Sequence, residues 1–291
     1  MNRLQIRHIL CPMDLSSPST NSPEWANAMA RARGAELTAF HVVITKGLVA
    51  PDTFGSDERG DIMKTLQRAL AASDPENAAT AAVVRQGDPG TEILEFARSL
   101  PADVVVMGAA GAQRPMRPMG SVTAAVVSRC DCPVLIVPTA QRIGRVTSGV
   151  FKNILCAVGL APSSIGVVRQ ALSLAWETHG HVTYLCVMTE PTPSPSEIHA
   201  QLLAAIPSEA HAWCDIEVVV KPGVPATEIV RLADASDVDI ILIGPPQQWA
   251  STTQAVLAKS LCPVLITHDA RPLPNPPGSP PPLPQNHGDA A

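Results

Sequence analysis

Between Asp103 and Pro138 the chain reads DVVVMGAAGAQRPMRPMGSVTAAVVSRCDCPVLIVP, and its chemistry-bearing positions are glycines and hydroxyls. Gly108 and Gly111 let the backbone approach a bulky anion with no Cβ in the way. Gly120-Ser121 brings backbone N–H groups and a hydroxyl to the start of a short helix, where the macrodipole favours negative charge. Arg114 and Arg117 lie between these glycines, either as phosphate partners or as solvated loop residues. Far upstream, Asp14 ends the first apolar stretch. Its carboxylate can accept hydrogen bonds from an adenine amine or a ribose hydroxyl, or cap a turn with Ser16-Ser17. Alone, Asp14 reads as a cap; with Gly108, Gly111 and Gly120-Ser121 it favours a ligand site. No G-x-x-x-x-G-K-[ST] occurs near them, so the site is not that of a P-loop NTPase.

The elements around these residues place them at the carboxyl ends of strands in one sheet. Val104 to Met107 is a buried strand, Val122 to Arg129 a short helix, and Pro133 to Val137 the next strand. Upstream, His8 to Met13 is a first strand. Ser22-Pro23-Glu24 opens a helix with Ser22 as the expected N-cap, and Gly34 closes it after Arg33. Leu37 to Val43 and Ala81 to Arg85 read as strands. A helix carrying Ile62, Leu66 and Leu70 lies between them, and another runs from Thr91 to Ser99. This alternation implies a parallel sheet covered by helices on both faces. Asp14 then stands at the carboxyl end of strand one, in the crevice where open α/β sheets bind ligands.

The whole pattern occurs twice. Leu10-Cys11 recurs as Leu155-Cys156, GDPGTEI (Gly87 to Ile93) as GVPATEI (Gly223 to Ile229), and Asp103 as Asp239. Ser121-x-Thr123 recurs as Ser251-x-Thr253, and Cys132-Pro-Val-Leu-Ile136 as Cys262-Pro-Val-Leu-Ile266. Ordered matches with gaps confined to loops mark a tandem duplication.

The glycine loop resembles that of the universal stress protein family. Its ATP-binding members carry Gly, two residues, Gly, nine residues, then Gly-Ser or Gly-Thr. Gly108, Gly111 and Gly120-Ser121 follow that pattern with one residue fewer in the second gap. The resemblance runs from His8 to His268. It implies an α/β fold of two tandem doubly wound parallel five-stranded sheets, Rossmann-like, with strand order 3-2-1-4-5 in each. The expected division is 1–140 for the nucleotide-binding copy, 141–151 for a linker, 152–269 for the second copy and 270–291 for a Pro-rich disordered tail. The resemblance also implies ATP, or AMP or ADP, as bound ligand of the first copy. Pro12, Met13, Asp14 and Val42 would surround adenine and ribose. Met107, Gly108, Ala110 and Gly111 would line the ribose and phosphate side, and Gly120, Ser121, Val122 and Thr123 would hold the phosphates. Ala110 stands where many members carry a polar side chain. Family members dimerise through strand five, so the two copies are expected to pair through that strand within one chain, with a further homodimer left open.

The second copy lacks most of these groups. Gly159 stands in place of Asp14, and the loop after Gly244 reads PPQQWA, six residues shorter than its counterpart. Proline offers no N–H to a phosphate, and Trp249 is placed to plug the crevice. The second copy is therefore expected to bind no nucleotide.

Composition narrows the function further. Net charge is −5 and no basic cluster stands out, which argues against nucleic acid or an anionic membrane as partner. The amino-terminal stretch has no apolar signal region and no apolar run is long enough for a membrane span, so a cytoplasmic protein is expected. Cys130-x-Cys132 has no second cysteine or histidine pair to complete a zinc set, and it is read as core. His179 and His181 are read as a solvated helix end. No nucleophile with a base, paired carboxylates or metal set appears. The expected role is a stress-response regulatory or signalling module rather than an enzyme, with any ATP hydrolysis weak and incidental. The alternative is a scaffold that binds protein partners and no nucleotide.

Overall fold

The computed structural model describes residues 6–15, 21–44, 56–73, 81–109, 119–138, 149–160, 164–189 and 193–267. The first repeat contains β1 (His8–Pro12), α1 (Ser22–Arg33), β2 (Glu36–Ile44), α2 (Ser56–Ser73), β3 (Ala81–Gly87), α3 (Pro89–Ser99), β4 (Val104–Gly108), α4 (Ser121–Arg129) and β5 (Val134–Val137). The second contains β6 (Asn153–Ala157), α5 (Ser164–Trp176), β7 (His181–Met188), α6 (Pro195–Ala205), a 3-10 turn (Ser208–Ala212), β8 (Asp215–Pro222), α7 (Pro225–Ala235), β9 (Ile240–Ile243), α8 (Pro246–Lys259) and β10 (Val264–Ile266).

The strands form one sheet in the order β3-β2-β1-β4-β5-β10-β9-β6-β7-β8. Within each half the order is 3-2-1-4-5 and every pairing is parallel. The halves meet where β5 and β10 run antiparallel, with Ile136 opposite Val264 and Val134 opposite Ile266. Strands buried on both faces carry no polar alternation, and β4, β5 and β9 are accordingly continuous Val, Ile, Leu and Met up to their ends.

The two faces bury separate cores. Trp25 and Met29 of α1 and Leu66 and Leu70 of α2 pack with Cys11, Ala39 and Val106 on one face. Ile93 of α3 and Val126 of α4 pack with Leu10, Phe40 and Met107 on the other. The helix after β1 and the helix after β4 therefore lie on opposite faces, and β1 and β4 are neighbours. A crevice at their carboxyl ends follows from that topology.

Asp103 and Asp239, matched in the duplication, perform the same local task. Asp103 Oδ2 accepts from the N–H groups of Arg7 (2.7 Å) and His8 (3.0 Å), and Asp239 Oδ2 from those of Lys152 (2.9 Å) and Asn153 (2.9 Å). Each carboxylate satisfies two backbone donors at the start of the central strand of its own half.

The seam has contacts that no local pattern announces. Gly149 takes a left-handed φ of 65°, and a Cβ there would collide with the Ala28 carbonyl oxygen. Its own carbonyl accepts 2.6 Å from Arg33 Nη1. Arg33 Nη2 is 3.0 Å from Glu177 Oε2, with side chains only 2% and 11% exposed. Burial pushes the guanidinium pKa down and Glu177 pushes it back up. Nearby, Trp25 stacks on Phe151 with ring centroids 5.9 Å apart.

Two local expectations are corrected. The N-cap of α1 is Asn21, and Ser22 is the first helical residue, buried at 2% exposure. Its hydroxyl turns inward to hydrogen-bond the Cys11 thiol, which burial pushes up to about 12. His181 opens β7 rather than ending a helix; its Nδ1 lies 2.8 Å from Asp215 Oδ2 and its Nε2 3.0 Å from Thr183 Oγ1. His179 does follow α5, at a φ of 49°, with Nδ1 3.1 Å from the Trp213 carbonyl oxygen.

Candidate functional site

Pro12 is the last residue of β1 and is buried; Met13 and Asp14 continue past it, half-buried and exposed. Two bonds from β2 hold this exit. The Met13 N–H donates to the Phe40 carbonyl at 2.8 Å, and His41 Nδ1 lies 2.7 Å from the Met13 carbonyl oxygen. His41 was not among the expected site residues, because only the β1–β2 register shows that it reaches across to the strand exit. Val42, one residue further along β2, is 8% exposed and belongs to the same core face as Met107.

Met107 and Gly108 end β4. The strand exit is closed against α4 by backbone: Gly120 N–H donates 2.8 Å to the Ala109 carbonyl, and Ala109 N–H donates 2.9 Å to the Val137 carbonyl. Ala109 is buried and was likewise not among the expected residues. Its role is carried by backbone atoms, which residue type does not reveal. The intervening Ala110, Gly111, Arg114 and Arg117 lie outside the described residues.

Gly120 is the N-cap of α4 with extended φ and ψ of −70° and 158°, and no side chain caps the first turn. Ser121 is the first helical residue and is exposed; Val122 is half-buried. Thr123 is 4% exposed, and its hydroxyl donates 3.0 Å to the Gly108 carbonyl. That bond ties the first turn of α4 to the end of β4. The structure thus brings Asp14, Gly108, Gly120 and Ser121 to the carboxyl ends of two adjacent strands. Val42 and Thr123 are behind them as support.

The second half repeats the frame with different furniture. Val158 N–H donates 3.0 Å to the Leu185 carbonyl, as Met13 does to Phe40, but Gly159 follows where Asp14 stood. After Gly244 and Pro245 there is no loop. Helix α8 begins at Pro246, with Pro245 as N-cap. Proline at the first helical position has its φ preset and lacks only an N–H that would be unpaired there anyway. The residues read as a shortened loop are therefore helix. The side chains of residues 246–250, Trp249 among them, lie outside the described residues. Thr253, the counterpart of Thr123, is 1% exposed and its hydroxyl has no hydrogen-bond partner.

Among the described residues no group of three or more His, Cys, Asp or Glu is placed to hold a metal ion, and no helix is long and apolar enough to cross a membrane.

This is a tandem pair of doubly wound α/β units with a switch-point crevice in each. The universal stress protein family model matches residues 5–138 and 151–268. The chain belongs to the universal stress protein family. It is 28% identical over 138 residues to a universal stress protein of Synechocystis sp., covering 46% of this chain and 87% of that one. It is 29% identical over 143 residues to one of Methanocaldococcus jannaschii, covering 47% of this chain and 84% of that one. The crystal structure of a universal stress protein from Archaeoglobus fulgidus superimposes with a TM-score of 0.69 at 18% identity, over 91% of this chain and 97% of that one. That likeness spans both repeats and concerns the fold.

Proposed function

We propose that the first half binds one adenine nucleotide, ATP or AMP, and that the chain works as a stress-response regulatory or signalling module without catalytic turnover. The proposed units are residues 1–140 and 152–269, the second a structural partner held through the β5–β10 pairing. The observation that carries this reading is the contrast between the two crevices. In the first, the start of α4 at Gly120-Ser121 is tied to the end of β4, the neighbour of the strand past whose end Asp14 stands. In the second, Gly159 removes the carboxylate and α8 starts on two prolines. Phosphates would meet the N–H groups at the start of α4, and Asp14 would accept from the adenine amine or the ribose hydroxyls. Pro12, Met13, Val42 and Met107 would shape the adenosine side, and Thr123 would hold α4 in place. Ala110 and Gly111 complete the proposed set.

Calorimetric titration with ATP, after any carried-over nucleotide is stripped, tests this. One site per chain is expected. A hydrogen bond to a charged group contributes about 1.5–3 kcal/mol, so Asp14→Ala should weaken binding roughly 10- to 150-fold. Two sites would refute the assignment of the second half. Absence of binding by ATP, ADP and AMP would refute the nucleotide reading and leave the partner-binding scaffold.

A further inference from the structure

Seven cysteines are described, all buried, and one pair stands apart from the rest. Cys130 caps the carboxyl end of α4, and Cys132 lies two residues on, just before β5. Their Sγ atoms are 3.5 Å apart. We propose that Cys130 and Cys132 form a redox-active dithiol that a peroxide converts to an intrachain disulfide.

The duplication supplies the comparison. The same turn in the second half carries Ser260 and Cys262. There Ser260 Oγ donates 2.7 Å to the Cys262 carbonyl and accepts 3.2 Å from the Cys262 N–H. Serine closes this turn with two hydrogen bonds of good length, so the backbone does not require cysteine at the first position. What cysteine adds in the first half is a second sulfur within reach of Cys132. Disulfide formation needs the sulfurs to move from 3.5 Å to about 2.0 Å. Side-chain rotation in a turn of three residues supplies a motion of that size.

The surroundings favour reaction here over the other thiols. Ser128, Arg129 and Asp131 are exposed on either side, so the pair lies just beneath an exterior turn. Asp131 is tied down by Arg98, whose Nε donates at 2.6 Å to its carboxylate. Hydrogen bonding from the Cys132 thiol holds the Cys130 pKa below the usual thiol range, against the effect of burial. Burial instead pushes Cys11 up to about 12 and Cys214 to about 11, and raises Cys156 and Cys186 as well.

The step balances with hydrogen peroxide as oxidant. The Cys130 thiolate attacks one peroxide oxygen, the O–O bond breaks, and the departing hydroxide takes a proton to become water. The resulting sulfenic acid is attacked at sulfur by Cys132, the S–S bond forms, and the sulfenic oxygen leaves as a second water. Two electrons pass from the dithiol to the peroxide.

Limited hydrogen peroxide treatment of the reduced full chain, followed by thiol counting and tryptic mass mapping, tests the proposal. Cleavage after Arg129 and Arg142 leaves Cys130 and Cys132 on one peptide with no other cysteine. Expected is loss of two of the seven thiols, a mass decrease of that peptide by about 2 Da for two hydrogens, and reversal by dithiothreitol. Cys130→Ser, which copies the turn of the second half, should keep its remaining thiols under the same treatment. The proposal falls if the wild-type peptide keeps both thiols, if it gains oxygen without losing hydrogen, or if other cysteines oxidise as fast. Peptide mapping of the wild-type chain decides these outcomes without relying on the variant.

Discussion

Replacing Glu177 by Gln should unlock the seam between the halves. The Arg33 side chain is 2% exposed and that of Glu177 11%, and the contact between them is 3.0 Å. Arg33 Nε has no hydrogen-bond partner, so the guanidinium depends on Glu177 and on the Gly149 carbonyl for its compensation. Removing one partner of a buried pair leaves an uncompensated charge and costs about 3–5 kcal/mol. The slight exposure of Glu177 favours the lower end, about 3 kcal/mol. With a urea dependence of about 3 kcal/mol per molar for a chain of this size, the unfolding midpoint should fall by about 1 M. Tryptophan fluorescence is a suitable readout, because Trp25 stacks on Phe151 beside the pair. The double variant Arg33→Met with Glu177→Met should recover all but about 1 kcal/mol, the remainder being the lost bond to Gly149. A Glu177→Gln cost below about 1 kcal/mol, as for an exposed pair, would refute the reasoning. So would a double variant no better than the single one.

Two further perturbations use the internal duplication and the helix caps. Thr123→Val removes the hydroxyl bonded to the Gly108 carbonyl and should cost about 1–2 kcal/mol, whereas Thr253→Val removes a buried hydroxyl without a partner and should be neutral or stabilising by about 1 kcal/mol. Thermal unfolding of the two variants side by side checks the difference. Asp88 caps α3 by accepting from the Thr91 N–H at 2.9 Å, which holds its carboxyl below the usual range. Because the folded pKa is depressed, its contribution is present above the ordinary aspartate range and disappears as pH falls through the folded value. Asp88→Ala should therefore cost about 1 kcal/mol at neutral pH and almost nothing in strong acid, as read from denaturation midpoints across pH.

Much of the fold was legible because each half is built from local, repeated signals. Buried strands read as short apolar runs, Gly34 closes α1 in the left-handed conformation, and the β4–α4 passage carries its glycines in order. The candidate site residues Asp14, Gly108, Gly120 and Ser121 could be placed for the same reason, since all stand at or just past element ends. The misreadings arose where a local signal had two outcomes. Ser22 has the composition of a cap, yet its hydroxyl is drawn to Cys11, and Asn21 takes the cap position. The prolines after Gly244 read as loop and instead open α8.

Residue order alone determined the duplication, the α/β alternation and the loss of Asp14 from the second half, because these depend on neighbours in the chain and on side-chain type. Only the tertiary structure decided how the halves meet and what locks them. Arg33, Gly149 and Glu177 are far apart in sequence and share no periodicity, and their contact exists only once β5 and β10 have paired. It likewise decided that Cys130 and Cys132, unremarkable as core residues in the primary structure, face each other at 3.5 Å, since a Cys-x-Cys spacing leaves the direction of both side chains to the turn that carries them.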